Sequence, residues 1–356
     1  MNDREAMARA IELAWRGWGR VGANPMVGAL VVKGGAILAE GWHAEFGGPH
    51  AEVVALESAG ARARGADLVV SLEPCAHHGK TPPCAPAIVA AGIKRVVFGA
   101  ADVDARAKGG ARVLERAGVR VEDGLMQGEV RAQNAAFFHR HGSSDRPFVA
   151  VKLALSLDGR IADGSRRSKW ITGEEARNWV HWLRAGFDAI GVGAGTVKAD
   201  DPRLTVRGDV VPPTPPLRVV FDARAEMPQH AELVATAPQV PTLALVAPGA
   251  NASRVEALRG LGVEIGEVAG LAASLRALHA RGIASLLIEG GGVLTGRLMA
   301  DGFVDRLFLM TGPVILGHNG VPAFGEMTGS PLERAMRWRT VGRKALGPDT
   351  LIVYDR

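Results

Sequence analysis

Apolar residues recur every three or four positions from Arg4 to Arg16, which predicts an amphipathic helix at the start of the chain. The pattern then turns to strands. Val27 to Val32 and Ala36 to Trp42 form a hairpin about Gly34-Gly35, and a helix is expected from His50 to about Arg64. Leu68 to Leu72, apolar but for Ser71, is read as a buried strand, and Pro83-Cys84 opens the next helix. Arg95 to Gly99 and Val119 to Val121 read as strands, Gly110 to Ala117 and Gln127 to His141 as helices.

Gly142-Ser143-Ser144-Asp145-Arg146-Pro147 interrupts this alternation with a polar, glycine- and proline-bearing connection. The boundary falls there, giving domains 1–145 and 146–356. Beyond it the alternation restarts with a strand, Phe148 to Ala154, and a helix, Gly173 to Arg184. Further strands are expected at Ala189 to Val192, Leu217 to Phe221, Thr242 to Val246, Leu286 to Glu289 and Leu307 to Met310. Helices are expected at Ser253 to Arg259, Leu271 to Arg281 and Val293 to Ala300, with a proline-rich loop over Val211 to Pro216. Strands separated by helices predict an α/β fold in each half. No repeat is visible.

Composition narrows the functional classes. The only cysteines are Cys75 and Cys84, so no disulfide framework exists and a cytoplasmic protein is expected. Residues 1–20 have no continuous apolar core of a secretory signal, and the uncharged run 307–325 is interrupted by Pro313, Asn319 and Pro322, which argues against a membrane partner. A pI of 9.5 invites a nucleic-acid reading. The charge, however, is evenly spread: residues 1–146 hold 18 Lys and Arg against 16 Asp and Glu, and the rest 24 against 21. Phosphate-backbone binding wants a dense basic stripe, so a small anionic substrate fits better.

The chemistry concentrates between His50 and Cys84. His50-Ala51-Glu52 followed by Pro74-Cys75 and then Cys84 is the ligand set of a zinc hydrolase acting on a nucleobase. Two thiolates and a neutral imidazole balance Zn2+ and leave a fourth position open, with Glu52 as the proton carrier. The eight residues between the cysteines include His77, His78 and Lys80, where substrate contacts are expected. Two structural thiols beside an incidental Glu52 are the bland alternative. In the second half, Gly191-Val192-Gly193-Ala194-Gly195-Thr196 and Glu289-Gly290-Gly291-Gly292 each follow a strand. They are either phosphate-cradling turns or plain tight turns. Lys152, Asp158, Asp200, Asp201, Arg203 and Arg207 beside them favour a phosphorylated ligand. His78, His139, His141 and His181 are read as surface or packing histidines, and Arg166-Arg167-x-Lys169 as a solvated loop.

Over essentially its whole length the chain resembles the bifunctional deaminase/reductase family of riboflavin biosynthesis. The resemblance rests on Asn24-Pro25-x-Val27-Gly28, Pro49-His50-Ala51-Glu52 and Glu73-Pro74-Cys75-x-His77-x-Gly79-x-Thr81-Pro82-Pro83-Cys84 in the first half. In the second it rests on Lys152-x-x-x-Ser156-x-Asp158-Gly159, Ser168-x-Trp170-Ile171-Thr172, Thr196-x-x-x-Asp200-Asp201-Pro202-x-Leu204-Thr205-x-Arg207 and Glu289-Gly290-Gly291.

What the resemblance implies is a cytidine-deaminase-like three-layer α/β/α domain followed by a dihydrofolate-reductase-like α/β domain. Periodicity alone does not separate the latter from a Rossmann sheet. The implied reactions are zinc-dependent deamination of a diaminopyrimidinone bearing a phosphoribosylamino group, then NADPH reduction of its ribosyl to a ribityl chain. Carried over, His50, Cys75 and Cys84 hold zinc, Glu52 is the acid/base, and Asn24, His43, His77 and Lys80 bind substrate. Ala154, Trp170, Thr196, Asp200 and Gly291 contact NADPH, while Lys152, Ser168, Arg184, Leu204, Arg207 and Glu289 hold the reductase substrate. Val54, Ala223 and the segment 101–110, which lacks two prolines, depart from the family's usual residues. An assembly of identical subunits is expected. The alternatives are a chain with one active half, or a deaminase of nucleic-acid bases on the same zinc fold.

Overall fold

A computed structural model describes residues 1–356, which divide into two compact units, Met1–Ser144 and Asp145–Arg356. No helix is long and apolar enough to cross a membrane.

In the first unit the elements run α1 (Asp3–Ala14), β1 (Gly28–Lys33), β2 (Ala36–Trp42), α2 (Ala51–Ala59), β3 (Asp67–Leu72), α3 (Cys84–Ala90), β4 (Arg95–Ala100), α4 (Gly110–Arg116), β5 (Arg120–Glu122), α5 (Gln127–Gln133) and α6 (Ala135–Arg140). Asn2 and Glu5 close a reciprocal capping box that starts α1, whose Ala6, Met7, Ala10, Leu13 and Ala14 form its buried stripe. The sheet order is β2-β1-β3-β4-β5, antiparallel at the β1 pairings and parallel from β3 onward. One face packs on α2, α3 and α4 through Val31, Leu68, Val70, Leu56 and Ile88. The other packs on α1, α5 and α6 through Met7, Leu13, Leu30, Val69 and Phe137. The result is a three-layer α/β/α unit.

Two expectations for this unit are corrected. The helix begun at His50 gives way to a 3-10 turn after Ala59, and the single helix Gln127 to His141 is two, broken at Asn134. The break has a cause: the Asn134 side chain accepts from Met26 N at 2.8 Å and donates to Met26 O at 3.0 Å, a contact that propensity along the helix cannot anticipate.

The second unit runs β6 (Phe148–Leu155), β7 (Arg160–Ala162), α7 (Glu174–Ala185), β8 (Ala189–Gly193), α8 (Ala194–Asp200), β9 (Leu217–Phe221), α9 (Glu232–Ala235), β10 (Thr242–Val246), α10 (Ala252–Gly260), β11 (Glu264–Glu267), α11 (Gly270–Ala280), β12 (Ser285–Glu289), α12 (Gly292–Ala300), β13 (Arg306–Thr311), β14 (Val321–Pro322), β15 (Arg339–Leu346) and β16 (Asp349–Asp355). Its main sheet has the order β11-β10-β9-β8-β12-β6-β13-β16-β15. The seven strands from β11 to β13 are parallel, and β16 and β15 add an antiparallel edge. Strands such as β10 and β12 are buried along their whole length, as parallel strands covered on both faces must be. The order places the carboxyl ends of β8 and β12 side by side. The two glycine-bearing turns, nearly 100 residues apart in sequence, therefore face each other.

The carboxyl-terminal hairpin β15–β16 and the short β7, β11, α8 and α9 were not anticipated from periodicity. On the edge strand β15 only Leu346 is buried, while Arg339, Arg343 and Lys344 give it no apolar face to read.

Candidate active sites

In the first unit the functional side chains converge where α2, the exit of β3 and the start of α3 meet. His50 is the residue before α2 and Glu52 lies in its first turn, Cys75 follows β3, and Cys84 begins α3. The depth of α2 is set by Gly41 in β2, because a Cβ there would lie 2.3 Å from the carbonyl of Ala51. One ligand atom from each of His50, Cys75 and Cys84 falls within 4.8 Å of the others. His50 Nδ1 lies 3.1 Å from Cys84 Sγ and 3.5 Å from Cys75 Sγ, while Nε2 lies 3.1 Å from Thr81 Oγ1. With Nε2 protonated toward Thr81, the Nδ1 lone pair faces the thiols, the orientation a metal-ligating imidazole needs.

The electrostatics suit that chemistry. A hydrogen bond from the Cys84 thiol, aided by His50 and opposed by burial, pulls Cys75 down to about 4, whereas Cys84 is pushed up. Burial raises the Glu52 carboxyl and His50 opposes it. Glu52 can therefore hold a proton more readily than an exposed glutamate.

A cavity of about 440 Å³ opens over these groups, and Asn24, His43, His50, Glu52, Cys75, His77 and Lys80 all line it. Cys84 is wholly buried behind it. His43 Nδ1 donates to Pro49 O at 3.1 Å, so its Nε2 is free to accept from Asn24 Nδ2 at 3.3 Å. Burial lowers the His43 pKa and keeps the ring neutral. Lys80 sits over the Phe46 ring at 4.0 Å, and His77 Nδ1 is buried with no partner. The sequence reading missed Thr81 as a partner of His50, although it lies inside the quoted motif. It also missed Glu73. That carboxylate accepts from the amides of Asp102, Gly109 and Ala111, each at 3.1 Å, and so fixes the segment 101–110 whose Asp102, Asp104, Arg106 and Ala107 form a cavity wall. Burial, with the nearby Asp104 and Glu73 carboxylates, raises Asp102 to about 6. His141 also lines this cavity, packed on the Phe137 ring with centroids 4.7 Å apart.

In the second unit a cavity of about 1730 Å³ runs along the carboxyl ends of the parallel strands. Lys152, Ala154, Ser168, Trp170, Arg184, Thr196, Asp200, Leu204, Arg207, Glu289 and Gly291 all line it, brought together from six stretches of chain. At its floor Glu289 is paired with Arg184, Nε to Oε1 at 2.5 Å and Nη2 to Oε2 at 3.0 Å, with Lys152 Nζ at 3.6 Å. Burial works to raise Glu289, but Arg184 and Lys152 outweigh it and hold the carboxyl at about 2. Burial lowers Lys152, and Glu289 opposes it.

Around this floor, Ser168 Oγ donates to Asp200 Oδ1 at 2.8 Å and Lys169 Nζ donates to the Asp200 carbonyl at 3.0 Å. Arg166, Arg167 and Lys169 are all exposed, as expected of a solvated loop; Arg167 pairs with Asp163, and Arg166 and Lys169 border the cavity. Trp170 is 68% exposed with Arg177 over its ring at 4.5 Å, leaving an aromatic face open to the cavity. Gly291 immediately precedes α12 and lies opposite Thr196, and a Cβ at Gly291 would come 2.8 Å from Thr196 Oγ1. The Leu204 side chain is packed among Val197, Val220 and Leu233. His181 borders this cavity as a packing residue, its Nδ1 3.2 Å from the Thr205 carbonyl. The ends of β9 and β10 and the start of α11 supply further wall residues, among them Arg224 and Ser274. No motif marks these, although the carboxyl edge of a parallel sheet is where a ligand is expected.

Residues 1–100 match the cytidine and deoxycytidylate deaminase zinc-binding region, and residues 147–352 match the RibD C-terminal domain. The chain belongs to the RibD family. It is 38% identical over 363 residues to the riboflavin biosynthesis protein RibD of Actinobacillus pleuropneumoniae, covering 99% of this chain and 95% of that one. The RibD of Aquifex aeolicus is 37% identical over 357 residues, with coverage of 99% and 98%. Among solved structures, RibD of Acinetobacter baumannii superposes with a TM-score of 0.82 at 35% identity, covering 99% of this chain and 98% of that one. A diaminohydroxyphosphoribosylaminopyrimidine deaminase/5-amino-6-(5-phosphoribosylamino)uracil reductase from Thermotoga maritima gives 0.82 at 36% identity with the same coverage. Like other RibD proteins, this chain is a bifunctional enzyme of riboflavin biosynthesis, with a cytidine-deaminase-like unit and a dihydrofolate-reductase-like unit that carry deamination and reduction.

Proposed function

We propose that the first unit deaminates a diaminohydroxyphosphoribosylaminopyrimidine with zinc, and that the second reduces the ribosyl of the product to a ribityl chain with NADPH. The observation that carries this reading is the convergence of His50, Cys75 and Cys84 within 4.8 Å beneath a cavity that also holds Glu52. Two sulfurs and one imidazole nitrogen, with the imidazole oriented by Thr81, fit a tetrahedral zinc with one open position. Zinc held there supplies a Lewis acid that makes water acidic enough to lose a proton near neutral pH. Glu52 takes that proton on its carboxylate and delivers it to the departing amine, which leaves as ammonia. Asn24 and His43 orient the pyrimidine edge. His77, with its unpartnered Nδ1, and Lys80 at the rim meet the ribose phosphate.

The second cavity suits a dinucleotide. Its volume, the Gly291–Thr196 approach at the start of α12 and the open face of Trp170 support NADPH contacts at Ala154, Trp170, Thr196, Asp200 and Gly291. NADPH supplies the hydride. Glu289, held ionised down to about pH 2, accepts hydrogen bonds from the sugar rather than exchanging a proton. Lys152 beside it is the group that can give one up. Ser168, Arg184, Arg207 and the main chain of Leu204 hold the phosphorylated sugar.

Incubating the full chain with the phosphoribosylaminopyrimidine and no NADPH tests the first half directly. Release of one ammonia per substrate is expected, and none would overturn the assignment.

A further inference from the structure

Arg218 is the second residue of β9, is completely buried, and pairs with no carboxylate. A guanidinium removed from water without a counterion is costly, so its partners explain its presence. Nη1 donates to Thr236 Oγ1 at 2.7 Å and to the Arg203 carbonyl at 3.3 Å. Nη2 donates to the carbonyls of Val240 at 2.7 Å and Leu233 at 3.3 Å.

The Arg203 carbonyl belongs to the loop that runs from α8 to Arg207 along the wall of the reductase cavity. This loop carries two non-glycine residues in the left-handed region, Asp201 at φ 42° and Leu204 at φ 50°. Such a conformation persists only when its surroundings enforce it. Two residues beyond Arg203, the Thr205 carbonyl accepts from Arg184 Nη1 at 2.9 Å and lies 3.2 Å from His181 Nδ1. The Asp201 carboxylate accepts from the amide of Glu232 at 2.8 Å. Consecutive parts of the loop are thus gripped by Arg218 on the sheet side and by Arg184, itself locked to Glu289, on the helix side.

We propose that Arg218 is a positioning residue of the reductase: by holding the Arg203 carbonyl it sets where Arg207 meets the phosphate of the substrate. This rests on the reading of Arg207 as a phosphate ligand. Without Arg218 the loop relaxes, and a displacement of about 1 Å in a substrate-holding group can cost on the order of 100-fold.

Steady-state reduction kinetics of the full chain, with the phosphorylated deaminated intermediate and NADPH varied separately, test it. Arg218→Met is expected to raise KM for the intermediate roughly 10- to 100-fold, with kcat and the KM for NADPH within about threefold of the parent. Arg218→Lys is expected to fall between the two. A role confined to stability would instead lower the active fraction, so a reduced kcat with unchanged KM values would overturn the proposal. Should Arg218→Met fail to fold, Thr236→Val removes one of its acceptors while keeping the charge. It is then expected to raise the same KM about threefold or more, and an unchanged KM would overturn the proposal. Arg207→Ala separates the two readings. If it leaves the KM for the intermediate unchanged, the phosphate assignment fails and the inference with it; if it raises that KM while Arg218→Met does not, the inference alone fails.

Discussion

Glu289 receives both arms of the Arg184 guanidinium, at 2.5 and 3.0 Å, although 105 residues separate the two in sequence. Glu289 is buried and the Arg184 side chain nearly so, and Arg184 also reaches on to the Thr205 carbonyl. This pair joins the floor of the reductase cavity to the loop that forms its wall, so its integrity has consequences for both stability and substrate binding.

The first prediction concerns acid stability. The folded pKa of Glu289, about 2, lies below the ordinary unfolded value of about 4.3. Its contribution is present above the unfolded value and is lost as pH falls through the folded one. Arg184→Met leaves a buried carboxylate with Lys152 alone at 3.6 Å, so the acid-unfolding midpoint of the second unit should move to higher pH. Breaking one side of a buried pair costs ~3–5 kcal/mol. Urea denaturation followed at pH 7 and pH 4 measures this, and a parental midpoint at both would refute it.

The second prediction concerns the metal. The chain should carry one zinc per subunit, and Cys75→Ser or Cys84→Ser should lose it, because thiolates supply much of such a site's affinity. Metal analysis of the purified variants is the check. Full zinc in both would remove these cysteines from the ligand set.

Arg207 gives a third prediction. It is exposed on the loop held by Arg184 and Arg218, and its planar fork can grip a phosphate with paired bonds that lysine cannot reproduce. Arg207→Lys should weaken the phosphorylated intermediate by ~1.5–3 kcal/mol, the range for hydrogen bonds to charged groups, while leaving NADPH nearly unaffected. If KM for NADPH rises and that for the intermediate does not, this arginine serves the cofactor.

How much of this was legible in the sequence depended on distance along the chain. His50, Cys75 and Cys84 span 35 residues, and their motif stands on one helix start, one strand exit and one further helix start, so the site could be read locally. The central parallel strands were equally plain, since burial on both faces makes them largely apolar runs, whereas the half-exposed edge strand β11 was not read. What escaped was made by contacts between remote segments. Asn134 breaks a helix to satisfy Met26, 108 residues away. Glu73 fixes the proline-less segment 101–110 by collecting its amides, which no spacing announces. That His181 and His141 pack along the cavity walls is likewise set by the tertiary arrangement and not by any local pattern. Arg218 interrupts an otherwise apolar strand, yet is among the most deeply buried side chains in the protein.

The most direct test of two chemically independent sites in one chain is a single incubation with the phosphoribosylaminopyrimidine and NADPH, in which ammonia release and NADPH absorbance are followed together. The unmodified protein should release ammonia and then consume NADPH. Glu52→Gln keeps the shape of the side chain but cannot shuttle a proton, and should slow ammonia release by ~100- to 10,000-fold. Supplied with the deaminated intermediate, the same variant should consume NADPH at close to the parental rate. Equal loss of both activities, or undiminished ammonia release, would contradict the account.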